Sequence, residues 1–393
     1  VTPQAPAHEI RRGAPDGWLV ASVLGLCGLG LVMVYSASSV VAFERFQDAA
    51  YFLKRQGVWF LLGCVAMTAT SRVPYTAWRR LAVPLLGAAV GLMAAVLVPG
   101  IGDVAGGARR WIVLGPVSLQ PVEVAKFSLV VYLAHFLSNR RERVRHFLPG
   151  LAPPLLVTLA LAALALRQPD MGSAVVLVGI TGTVLLCAGA RWAHLLGLGA
   201  VALPVGAWAA LGEAYRRQRL LAFLDPWRDA LGSGFHIIQS LVAVASGGVF
   251  GLGLGQSRQK FFYLPERHTD FIFAILAEEL GLVGVTAVLA LYGLFVARTF
   301  RAALRAPDRY GALLATGVGC WVAGQAVLNI GVATGLLPVT GVPLPFVSFG
   351  GSSLVALMAA SGVCVNLSQY ARVPRQADVF ARWPAAPLPG GTG

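Results

Sequence analysis

Glu266, His268 and Asp270 fall within five positions of one another in the run Tyr263-Leu-Pro-Glu-Arg-His-Thr-Asp270, directly before an apolar stretch. Carboxylates and imidazole are ligands for Mg2+ or Mn2+. A lone carboxylate at such a boundary suits a general base acting on a hydroxyl, with Arg267 and Lys260 near in sequence to keep it ionised. No GxSxG elbow accompanies the cluster, which disfavours a serine hydrolase. An N-cap role for Thr269 or Asp270 is compatible with each of these chemistries. A second pair, Glu123 and Lys126, stands at i,i+3, the spacing that puts two side chains on one helix face. It reads either as a buried ion pair that positions a helix or as a lysine held towards a phosphate. Arg109 and Arg110 precede Trp111, which can stack on a sugar or mark an interface.

The elements that must position these residues follow from composition. Of 393 residues, 57% are hydrophobic and only 12% charged, whereas a soluble domain carries roughly 25% charged residues. A polytopic, all-α membrane protein is the class that remains, because lipid accepts apolar surface that water does not. Apolar runs occur at 17–41, 56–70, 81–98, 122–137, 151–166, 173–189, 193–211, 271–297, 310–333 and 352–367. They predict ten spans between a tail at 1–16 and a tail at 371–393, with one membrane domain over 17–370. Several runs fall at or under the roughly 17–25 residues a span needs, so their ends must borrow polar residues. The first run is too long for a signal-peptide core, and Arg11-Arg12 ahead of it reads as a cytoplasmic anchor rather than a twin-arginine signal.

With the N-terminus inside, the inner segments collect 17 Lys and Arg against five acids, while the outer loops hold 13 cations more nearly balanced by acids. That asymmetry places both termini in the cytoplasm, and it accounts for the net charge of +14 without nucleic acid. Seven outer cations lie in one long connection, 212–270, where they can be tolerated or can bind an anion at the membrane face. Its apolar stretch 235–254, cut by Gly247-Gly248, reads as a helix on or dipping into the membrane. The glycines from 247 to 255 lack the GxxxxGK[ST] pattern of a phosphate loop. Glu278 and Glu279, inside the eighth run, read as serving structure or a water-filled cavity rather than catalysis. The five cysteines sit in apolar stretches with neither disulfide nor zinc spacing. The final outer loop, 335–353, has too many prolines for regular helix, and Ser348, Ser352 and its backbone amides can donate to an anion.

Several long runs carry a family resemblance: 107–134 (GARRWIVLGPVSLQPVEVAKFSLVVYLA), RQPDMGSAVVL, YRRQRLLAFLDPWRD, 232–284 and 329–354. Across most of the chain from the third run onward, it resembles the SEDS (shape, elongation, division and sporulation) family of membrane glycosyltransferases. The wording GLGQSRQKFFYLPERHTDFIFA is closer to the division branch than to the rod-elongation branch. The resemblance implies polymerisation of lipid II at the outer face of the cytoplasmic membrane, beside a class B penicillin-binding protein and other division proteins at the septum. It implies Asp270 as catalytic aspartate. Arg109, Arg110, Trp111, Glu123, Lys126, Gln239, Ser240, Lys260, Glu266, His268, Ser348, Gly350, Gly351 and Ser352 are candidate contacts to lipid II or the nascent glycan strand. Val122 stands where the family reads Ser, so that position receives no catalytic role. A divalent cation, Mg2+ or Mn2+, could assist the departing diphosphate. A lipid II flippase and a non-catalytic division scaffold are the rival readings.

Overall fold

The computed structural model describes residues 8–105, 108–115, 117–140, 143–212, 214–259 and 269–374. The chain is mostly helical, and each of the ten apolar runs lies in a helix of its own. These are α1 (Gly17–Phe46), α2 (Tyr51–Arg72), α3 (Tyr75–Ala95), α4 (Pro121–Ser138), α5 (Ala152–Arg167), α6 (Met171–Cys187) and α7 (Trp192–Gly212), then, past the connection, α10 (Ile272–Arg305), α11 (Arg309–Ala333) and α12 (Gly351–Ser368). Among the described residues, seven helical segments are long and apolar enough to cross a membrane: α1, α3, α4, Phe147–Arg167, α10, α11 and α12. The short runs did extend into polar residues. Helix α2 opens on Tyr51-Phe-Leu-Lys-Arg and closes on Ser71-Arg72.

Between α7 and α10 lie α8 (Ala214–Leu224), a short 3-10 turn at Pro226–Asp229, and α9 (Phe235–Ser246). The Ser233 N–H and hydroxyl hold the Asp229 carboxyl below the usual carboxylate range and tie the turn that starts α9. Helix α9 ends at Gly247 after 12 residues, too short for a span of about 30 Å at 1.5 Å per residue.

The architecture departs from all-α in two small antiparallel sheets. β1 (His8–Arg12) pairs with β5 (Tyr370–Pro374) in the register Arg12↔Tyr370 to His8↔Pro374, so the two ends of the described chain are neighbours. Between α3 and α4, β2 (Gly102–Ala105), β3 (Ala108–Leu114) and β4 (Val117–Leu119) form a meander. The β3 segment Trp111-Ile-Val is aromatic and β-branched, which suits a strand.

The core forms where α11 contacts α4, α6 and α10, with α12 packed along α2 and α1 along α10. Helix α10 breaks at Gly281, whose φ of 62° and ψ of −163° are open only to glycine. The glycine segment after α9 repairs the break. Leu252 and Gly253 donate to the carbonyls of Glu278 and Glu279, and Leu282 and Val283 donate to Gly248 and Val249. A Cβ at Gly247, Gly251 or Gly281 would strike backbone across this junction. These glycines therefore serve close backbone approach.

Candidate active site

Asp270 lies one residue before the Phe271 N-cap of α10. Its backbone is held from two sides. Asn329 Nδ2 donates to the Asp270 carbonyl at 2.8 Å, and Ser348 Oγ donates to the Thr269 carbonyl at 2.6 Å. Gly341 faces the carboxylate. It has φ +73°, and a Cβ there would lie 3.6 Å from Asp270 Oδ2. Asp270 is half-buried, so its side chain stands at the edge of the protein interior on a fixed backbone.

That fixation comes from the proline-rich loop after α11, which buries Val342, Leu344, Phe346 and Val347 without forming helix. Buried backbone groups need partners, and side chains supply them. Asn329 Nδ2 donates to the Val342 carbonyl at 2.8 Å and Gln325 Nε2 to the Pro343 carbonyl at 3.0 Å. The Tyr292 hydroxyl donates to the Pro345 carbonyl. Ser348 Oγ accepts from Leu344 N at 2.8 Å, and Gln56 Nε2 donates to the Ser348 carbonyl at 3.2 Å. On α1, Gly30 lets the loop sit close: a Cβ there would meet the Phe346 carbonyl at 2.7 Å.

Lys126 is fully buried, which matches the buried ion pair of the two readings that its spacing from Glu123 allowed. Its Nζ lies 2.7 Å from Glu123 Oε1 and 3.3 Å from Gln325 Oε1, and 6.0 Å from the Trp321 ring centroid. Trp321 Nε1 donates to the same Gln325 oxygen at 2.9 Å. The pair thus orients Gln325, which in turn holds the loop at Pro343. Glu123 Oε2 is buried without a hydrogen-bond partner among the described residues.

The β3 candidates divide. Arg110 is committed to structure: its guanidinium donates to the carbonyls of Gln168, at 3.0 Å, and Pro169. Asp170 then caps α6 through Ser173 N at 2.9 Å. Arg109 and Trp111 are half-exposed, and Arg109 makes no ion pair among the described residues. Ser352 Oγ accepts from Gln120 N at 3.0 Å and Ser240 Oγ donates to the Ala333 carbonyl at 2.6 Å, so with Ser348 these hydroxyls knit helix ends together. Gly350 N donates to Gln56 Oε1 at 3.4 Å, and Gly351 is required by Trp59, which a Cβ would strike. Gln239 is half-buried on α9. Lys260, Glu266 and His268 lie outside the described residues.

Glu278 and Glu279 are buried and hydrogen-bonded to neighbouring elements, in line with the structural alternative. Arg258 N donates to Glu278 Oε1 at 3.0 Å, with Ser257 Oγ on Oε2. Ser36 Oγ binds both oxygens of Glu279 at 2.7 and 2.6 Å. Sequence reasoning missed Gln325 and Asn329. The signal was present: two amides four residues apart inside an apolar run share a helix face, and polar groups at membrane depth are functional by default.

The site sits on a fold with known relatives. The chain is 46% identical over 362 residues to Stage V sporulation protein E of Bacillus subtilis (strain 168), covering 92% of this chain and 99% of that one. It is 45% identical over 350 residues to the probable peptidoglycan glycosyltransferase FtsW of Geobacter metallireducens, covering 89% and 93%. Among solved structures, it matches a chain of a peptidoglycan synthase complex that coordinates polymerization and crosslinking, with TM-score 0.75, 38% identity and coverage of 90% and 98%. It also matches the rod shape determining protein RodA of Thermus thermophilus, with TM-score 0.68, 35% identity and coverage of 90% and 97%. The FTSW_RODA_SPOVE family model, described as Cell cycle protein, matches residues 17–373, and the chain belongs to that family.

Proposed function

We propose that this protein is a peptidoglycan glycosyltransferase that polymerises lipid II at the outer face of the cytoplasmic membrane during septal wall synthesis. The observation that carries the reading is Asp270. It is a carboxylate at the outer end of a span, with its backbone pinned by Asn329 and Ser348. Positioned to accept a proton, Asp270 takes it from the sugar 4-hydroxyl of lipid II. The freed oxygen attacks the anomeric carbon of the growing glycan, and the bond to the lipid diphosphate breaks with inversion. A diphosphate leaves without needing a proton, so one base suffices where glycoside hydrolysis uses paired carboxylates. What the departing group needs is positive charge. Arg109 is a candidate to supply it, half-exposed on β3 and without an ion pair among the described residues, while Lys260 extends the expectation from sequence. Lys126 and Arg110 act at one remove, by holding the loop at Pro343 and the turn at Gln168–Pro169.

Among the described residues no three His, Cys, Asp or Glu side chains come together; Glu266 and His268, which would join Asp270 in holding a divalent cation, lie outside them. The pairing of β1 with β5 supports both termini on one side, and the arginine asymmetry makes that side the cytoplasm. The partner is a class B penicillin-binding protein, in line with the synthase complex to which the chain is similar, within a larger division assembly.

The test is reconstitution of the purified protein with its penicillin-binding partner into liposomes carrying lipid II. Glycan polymer formed without ATP or an ion gradient is the expected result. Scrambling of lipid II between leaflets without polymer would replace the enzyme with a flippase. Normal septation by a variant that makes no polymer would favour a scaffold.

A further inference from the structure

At the opposite face from Asp270, a cavity of about 260 Å³ opens between the start of α1 and the last turns of α10, lined by Asp16, Trp18, Arg298, Arg301, Arg305 and Ser368 among others. Its one acid is already satisfied. Asp16 Oδ2 pairs with Arg298 at 2.6 Å, while Oδ1 caps Trp18 N and Leu19 N at 3.1 and 3.2 Å. Ser368 Oγ accepts from Asp16 N at 3.0 Å, which fixes this wall to the end of α12.

The remaining charge is uncompensated. Arg301 and Arg305 are exposed, stand one helical turn apart, and have neither an ion pair nor a side-chain hydrogen bond among the described residues. Two free guanidiniums at that spacing present forked donors to a phosphate. The rim is apolar where the charge is not: Trp18 is 64% exposed and Leu304, between the two arginines, 88%. An exposed tryptophan beside paired cations at the end of a span is the arrangement expected at the headgroup level. A soluble phosphate would gain nothing from this apolar rim.

We infer that this cavity binds the phosphate of an anionic phospholipid headgroup from the cytoplasmic leaflet, with Arg301 and Arg305 holding the phosphate and Trp18 lying against the glycerol and upper acyl region. The inference rests on the inward orientation of α10's C-terminal end and is independent of the reaction at the outer face. A lipid seated there would bridge α1 and α10, the two helices joined by the Asp16–Arg298 pair.

Native mass spectrometry of the delipidated full-length protein, titrated with phosphatidylglycerol and separately with phosphatidylcholine, reads the site directly. Wild type should retain phosphatidylglycerol and not phosphatidylcholine. Each surface cation contributes about fivefold to anionic-lipid affinity, so R301Q/R305Q should weaken phosphatidylglycerol retention about 25-fold. R301K/R305K, keeping the charge, should recover most of it and shows that the loss is not one of folding. Equal retention of both lipids by wild type, or unchanged retention by R301Q/R305Q, would overturn the proposal. Displacement of phosphatidylglycerol from wild type by millimolar inorganic phosphate would also overturn it, assigning the cavity to a soluble anion.

Discussion

The loop after α11 and the helix α7 are both apolar segments without an acid, a lysine or an arginine, yet they meet their surroundings in opposite ways. Residues 340–348 have no helix to satisfy their backbone. They borrow donors and acceptors from Gln56, Tyr292, Gln325, Asn329 and Ser348, and most of that stretch is buried. Helix α7 satisfies itself, and none of its described side chains is buried. Irregular backbone at membrane depth survives only inside protein, whereas a helix can stand against lipid. The residues that carry chemistry therefore gather where the backbone is irregular, because the groups that hold it also hold Asp270.

That contrast is breakable at the buried pair first. Lys126→Met leaves Glu123 as an uncompensated buried charge, and removing one partner of such a pair costs about 3–5 kcal/mol. Thermal unfolding in detergent should show a large loss, and the double variant Lys126→Met/Glu123→Leu should regain most of it. A single variant as stable as wild type would mean that the pair does not support the loop.

Gly281→Ala probes the repaired break in α10. The backbone strain alone is worth about 1–3 kcal/mol, and the new Cβ would also strike Gly251 N. The expected signs are a lower melting temperature and faster proteolysis of the connection between α9 and α10. Leu196→Ala on α7, at a side chain 70% exposed, marks the other end of the scale. Its stability change should stay within about 0.5 kcal/mol. Leu129→Ala in the core should cost about 2–5 kcal/mol, and comparable values for the two would erase the distinction between frame and periphery.

Much of this was legible in the chain itself. Each apolar run announced its helix because burial in lipid demands apolar residues on every face, and Gly247-Gly248 marked where α9 stops. The meander at 102–119 escaped notice because a three- to seven-residue strand leaves little periodicity between two long apolar runs. Asp270 stood out through charge and position. Gln325 and Asn329 did not, since an uncharged amide disturbs hydropathy little. The glycines at 247–255 were visible, but their purpose was not, because it depends on carbonyls of a helix some thirty residues further along. Lys126 illustrates the remaining gap: its spacing from Glu123 was plain, while its depth depended on Trp321 and Gln325 arriving from α11.

On the proposed function, Asp270 is the base of a glycosyl transfer and the loop after α11 exists to place it. Asp270→Asn keeps the size and the hydrogen-bonding outline while removing the base. Lipid II polymerisation by the purified variant, with its penicillin-binding partner and free of other polymerases, tests the claim directly. The account predicts a loss of at least about 10²-fold, the lower end of general-base contributions, with membrane insertion and partner binding unchanged. Near-normal polymer from that preparation would contradict it and leave Asp270 with a binding role alone.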